Sequence, residues 1–116
     1  MKIDIQKIHW TFAGKLADSD DSVYIEKDTL KRQGNRITVK AIANNKYKGR
    51  YTSYIKHMIV DCSEDMVANT NGYSVHCEGF MCEKPESTFL TAAGPFQKVA
   101  NDSGAEILVK FICQAR

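Results

Sequence analysis

Apolar and polar residues alternate with a period of two along most of this chain and change period only near its end. The longest such stretch is residues 51–62 (YTSYIKHMIVDC), β-branched and aromatic, with no Pro or Gly inside it. That composition suits a pleated, half-buried surface. Period two places Tyr54, Met58, Val60 and Cys62 on one face, interrupted by Lys56, and Ile55, His57 and Ile59 on the other. Apolar residues on both faces predict a central strand covered on both sides.

The other elements are read relative to this strand. His9 to Ala13 alternates and predicts a first strand, with Trp10 as a core anchor and Gly14 as its end. Val23, Tyr24 and Ile25 form a short strand. Residues 28–35 suggest a turn of helix or a tight loop closed by a Gly34-Asn35 reversal. Residues 36–43 (RITVKAIA) are a strand with Ile37, Val39, Ala41 and Ala43 on one face. Residues 44–50 connect it to the central strand, so the two pair antiparallel. A turn at Ser63, Glu64 and Asp65 leads to a strand at Met66, and Asn71-Gly72 turns into an extended 73–77. Lys84-Pro85-Glu86 breaks structure before a final strand at 87–90, and Gly94-Pro95-Phe96 is irregular.

Near the end the spacing becomes helical. Ser103 followed by Glu106 is a capping box, in which Ser103 accepts from the Glu106 amide and Glu106 reaches back to the Ser103 amide. Leu108, Phe111 and Ile112 then fall on one helical face. A helix over 104–114 is predicted, with a strand over 107–113 as the competing reading. The fold class is α+β: a single antiparallel β-sheet meander packed against a C-terminal α-helix, in one domain spanning residues 1–116.

Composition narrows the class. The chain has 116 residues, 43% hydrophobic and 26% charged, ordinary for one soluble domain with its own core. A net charge of +2 does not argue for nucleic acid. No apolar run reaches the roughly 20 residues that cross a bilayer, and residues 1–7 carry no signal-peptide core. Four cysteines, an even count in a short chain, fit two bridges in an oxidising compartment, with reduced buried thiols as the alternative.

Few residues carry legible chemistry. Cys77 and Cys82 are separated by four residues that include Gly79, so a bridge pinning this loop is reasonable. A redox motif has two intervening residues, and zinc spacings around His76 are absent. His9, His57 and His76 stand beside no triad-like arrangement, so no catalytic residue, metal or cofactor is assigned. The acidic stretch at Asp18, Asp20 and Asp21 lacks the Gly and final Glu of a calcium loop. The remaining candidate is Lys46, Tyr47, Lys48, Arg50 and Tyr51, where cations alternate with aromatics. Such a loop could hold a polyanion, with Lys31, Arg32 and Arg36 adding to the same surface.

The order of these signals resembles the surface-adhesin protein E family of bacterial envelope proteins. The marks are an early Trp10, Tyr24, a basic turn into residues 32–43, Ser53 in a strand closing in Asp61-Cys62, Tyr73, a late Ser103 and a final Cys113. Cys77 and Cys82 are a pair beyond those marks. The resemblance implies an antiparallel sheet with a C-terminal helix, a Cys62–Cys113 disulfide and export to the periplasm or cell surface, the signal peptide having been removed. It also implies adhesin-like, non-catalytic binding to host extracellular-matrix or plasma proteins, and formation of a homodimer. An exported protein would meet a glycan, lipopolysaccharide or acidic protein face rather than nucleic acid. Alternatives are a structural envelope or assembly protein, and a small thiol- or zinc-dependent enzyme using Cys77, Cys82 and His76.

Overall fold

In the computed structural model, residues 9–114 are described. The leader reading of residues 1–7 lies outside them. The elements are β1 (Trp10–Lys15), β2 (Ser22–Gln33), β3 (Arg36–Tyr47), β4 (Arg50–Asp61), β5 (Met66–Asn69), β6 (Gly72–Glu78), β7 (Lys84–Thr91), β8 (Gln97–Lys98) and α1 (Gly104–Gln114). All strand pairs are antiparallel. The order runs β1-β2-β3-β4, after which the plies are interrupted. β5 pairs with the Met58–Asp61 half of β4, and β6 pairs with the half near Ile55. β8 and β7 then pair with β5 and β6. The break at Thr70 and Asn71 is held together by hydrogen bonds. The Thr70 amide and hydroxyl donate to the His57 carbonyl, at 3.2 and 3.3 Å, and the Ala93 amide donates to Asn71 Oδ1 at 2.7 Å.

The sheet is covered on both faces. On one, Val23, Ile25, Ile37, Val39, Ala41 and Val60 pack against Leu108, Val109 and Ile112 of α1. On the other, Ile42, Ile55 and Val75 pack under Cys77 and Cys82. Alternation on β3 separates the two cores: Ile37, Val39 and Ala41 go to the helix, and Ile42 to the opposite side. Trp10 is only half-buried at the margin of the second core, because β1 is an edge strand with no neighbour beyond it.

Several local expectations are corrected. β2 runs on to Gln33 with a register shift between Glu26 and Lys31, so residues 28–33 are strand. β3 likewise continues to Tyr47, which shortens the connection to Lys48 and Gly49. Lys84, Pro85 and Glu86 lie in β7, which is an edge strand and so tolerates a residue without an amide hydrogen. β8 follows β7, so β7 is not the final strand. Gly14 does not end β1. It sits at a bulge, and a Cβ there would stand 2.7 Å from Ile107 Cγ2, so the small residue lets α1 approach the strand.

The helix starts as its cap predicts on one side. The Glu106 amide donates to Ser103 Oγ at 3.2 Å, while the Glu106 carboxylate accepts from the Asp102 amide, one residue earlier than expected. Its last turn is bonded to the sheet by the Cys62–Cys113 disulfide, with Cα atoms 5.5 Å apart. In the chain-entropy account, closing this loop of 51 residues contributes about 4 kcal/mol.

Candidate functional site

The five basic and aromatic candidates occupy the tip of the β3–β4 hairpin. Tyr47 pairs with Arg50 and Lys46 with Tyr51, leaving a two-residue turn of Lys48 and Gly49. Both turn residues have positive φ, 50° and 78°, which is the mirror-image turn whose twist matches that of two-residue hairpins. Glycine adopts this freely; Lys48 does so at some cost. The tip is therefore a two-residue turn rather than the expected connection over residues 44–50.

Alternation divides the five. Lys46 and Tyr51 face the second core and are tied down. Lys46 Nζ pairs with Asp20 Oδ2 at 3.2 Å and lies 5.4 Å from the Tyr51 ring centre, and its amide donates to Asp21 Oδ1 at 2.9 Å. Thus the acidic β1–β2 connection braces the tip. Tyr51 begins a row of edge-to-face rings: Phe80 at 5.1 Å, then Tyr24 at 6.1 Å and Phe12 at 5.2 Å. Tyr47, Lys48 and Arg50 remain outward. Tyr47 is 74% exposed with the Lys48 ammonium 5.4 Å from its ring. Arg50 has no ion pair among the described residues and lines a groove of about 420 Å³ that also holds Glu78, Glu83 and Lys84. The tip is therefore mixed in sign, not uniformly basic.

Lys31, Arg32 and Arg36 do not join this surface. Arg36 and Lys46 are ten residues apart on one extended strand, about 33 Å. The Arg36 guanidinium instead lies 4.4 Å from the Phe96 ring centre and 3.5 Å from Asp61. Asp61 closes the β4–β5 turn. Its Oδ1 accepts from the Ser63 amide and hydroxyl and the Glu64 amide, at 3.0, 2.7 and 3.2 Å, and these bonds, led by the Ser63 hydroxyl, hold its carboxyl below the usual carboxylate range.

A flap over residues 79–83 supports the tip from below. The Cys77–Cys82 disulfide closes it, with Cα atoms 4.9 Å apart. Two fully buried polar side chains fasten it to the sheet. Ser53 Oγ donates to the Gly79 carbonyl at 3.0 Å and accepts from the Cys82 amide at 2.9 Å. Asn44 Oδ1 accepts from the Met81 amide at 2.7 Å. Sequence reasoning missed Asn44 as an anchor; a polar residue at an inward position of an otherwise apolar strand was the available signal.

The histidines lie apart. His76 stacks on Tyr54 at 4.7 Å. His57 stands in a cross-strand row with Lys40 and Glu26. Burial, then the Lys40 charge, pushes its pKa down, and its Nδ1 holds no hydrogen bond. All four cysteines are in disulfides, and among the described residues no three His, Cys, Asp or Glu side chains converge as a metal site. No described helix is long and apolar enough to cross a membrane.

The fold is a disulfide-stapled open sheet with one helix packed on it, and its β3–β4 hairpin is short and braced. A model of the family described as Surface-adhesin protein E matches residues 10–114, and the chain belongs to that family. Membership suggests a surface-exposed bacterial adhesin and is consistent with non-catalytic binding. No curated protein and no solved structure matches the chain significantly.

Proposed function

We propose that this domain is an exported adhesin that acts by non-catalytic binding at the bacterial periplasm or surface, through the β3–β4 tip, to host extracellular-matrix or plasma proteins. The observation that carries the reading is the tip itself in a chain of this family: Tyr47 held outward between Lys48 and Arg50 on a two-residue turn. An exposed aromatic flanked by two cations is the composition of an interface anchor, and a stiff turn reduces the ordering cost of docking. The mixed sign of the neighbouring groove favours a protein face over a uniformly anionic polymer. Lys46 and Tyr51 act as supports in this reading. Disulfide pairing of every cysteine fits an oxidising compartment and leaves no thiolate for an enzyme. A homodimer would double the number of tips and raise avidity.

The test is binding of the folded domain to a panel of immobilised matrix and plasma proteins. Lys48→Glu with Arg50→Glu, and separately Tyr47→Ala, should each reduce binding at least about tenfold, as expected for loss of an anchor worth more than about 1.4 kcal/mol. Unchanged binding by both variants would remove the tip from the function. Absence of binding to every protein of the panel would favour a structural role in the envelope.

A further inference from the structure

Helix α1 crosses its face of the sheet obliquely. Its first turns stand over the β1–β2 side, where Ile107 meets Gly14 and Gly104 meets Val23, and its last turn is bonded to Cys62 beyond β4. The part of β3 and β4 nearer the tip is left partly uncovered. The residues bordering that gap are small: Ala41 and Ala43 on β3, Gly104 and Ala105 on the helix. An open recess of about 350 Å³ results, with Ala41, Ala43, Met58 and Leu108 among its apolar walls.

Two polar groups reach the same recess. Lys56 is the residue that interrupts the apolar face of the central strand. It lines the recess and has no ion pair among the described residues; its ammonium lies 5.8 Å from the Tyr54 ring centre. Asn45 also lines it, and its side-chain amide holds no hydrogen bond among the described residues. The acid of the helix start is already engaged: Glu106 accepts from the Asp102 amide and pairs with Lys110 at 3.7 Å. An apolar hollow with a few convergent polar groups is the usual form of a small-molecule site.

We propose that this recess binds a small amphiphilic carboxylate, an acyl chain or similar apolar body with one anionic head. The apolar part lies against Ala41, Ala43, Met58 and Leu108, and the carboxylate meets Lys56 and the Asn45 amide. Charge selects the class. A neutral apolar body would cover Lys56 without pairing it, and a cation would be repelled. Size selects the scale: at about 30 Å³ per water-sized group, the recess takes about a dozen non-hydrogen atoms. None of the five tip residues lines it, so the proposal stands independently of the adhesion reading.

The probe is decanoate, kept below its micelle concentration and titrated into the isotopically labelled folded protein while amide resonances are followed. Saturable shifts are expected at Ala41, Ala43, Asn45 and Ala105. Lys56→Glu should weaken decanoate about tenfold or more, the scale of one charge-assisted hydrogen bond, and leave the weaker binding of decanol unchanged. Ala43→Leu, which fills the floor, should block both. Should that variant fail to fold by circular dichroism, Lys56→Glu at the rim carries the test. Non-saturable shifts, shifts centred on the exposed Leu90 and Tyr73, or wild-type decanoate affinity in Lys56→Glu would each overturn the proposal.

Discussion

Replacing Ser53 by Ala removes one oxygen from beneath the flap and no apolar contact of consequence. That oxygen serves two backbone groups at once, the Cys82 amide and the Gly79 carbonyl, and the side chain is fully buried. Losing two hydrogen bonds costs about 1 kcal/mol each, and leaving the amide dry and unpaired adds about 1 kcal/mol or more, so the expected loss is about 2–4 kcal/mol. The disulfide keeps Cys82 near β6, so the groups cannot simply swing into water. Urea denaturation of wild type and variant would give the difference, and amide hydrogen exchange would show where it falls. The Cys82 amide should lose protection while the Cys62 amide, bonded to the Asn35 carbonyl, keeps it. A loss under about 0.5 kcal/mol with Cys82 protection unchanged would refute the argument that Ser53 fastens the flap.

Gly14→Ala should destabilise by about 1–3 kcal/mol, since its Cβ would overlap Ile107 at the packed helix–strand contact; equal stability by thermal melting would mean that α1 can shift outward. Cys62→Ala with Cys113→Ala should cost about 4 kcal/mol in urea, with a larger denaturant slope from the more open unfolded chain. His57 gives a pH dependence of definite sign. Its folded pKa lies below the ordinary 6.5, so the unfolded chain binds the proton first, and stability should fall as pH drops below about 6.5 until the folded pKa is passed. His57→Gln should flatten that part of the profile, and an unchanged slope would assign it elsewhere. Asp61 acts lower. Its carboxyl is held below 3.8, so its contribution is present above that pH and is lost on acidification through the folded value, a loss that Asp61→Asn should abolish.

The sheet was legible where local pattern and tertiary environment agree. Ile37, Val39 and Ala41 alternate because one face of β3 meets α1, and the Ser103 cap marks the helix start because it acts within one turn. The missed strand at 28–33 is polar because this end of β2 is largely exposed; pairing with β3, not burial, makes it extended. Pro85 misled for a related reason: an edge position cancels the penalty that proline carries inside a sheet. At the tip, residue types were readable but their division was not. That Lys46 is spent on Asp20 while Arg36 lies at the far end depends on contacts 26 and 25 residues apart in sequence. The recess could not be foreseen at all, since its walls come from β2, β3, β4 and α1, segments far apart in the sequence.

The Cys62–Cys113 bond also sets how the domain would carry a pull applied along the chain. A pull entering on the far side of Cys113 passes through sulfur directly to the end of β4, so β5 to β8 and the part of the helix before Cys113 carry none of it. The bridge withholds about 51 residues of slack, on the order of 170 Å at full extension. Load then falls on β4 and its partner β3, paired over their whole length. Stretched singly, the oxidised chain should release only the length outside the bridge, and reductant should restore the rest. If both states lengthened equally, tension would be travelling by some other route.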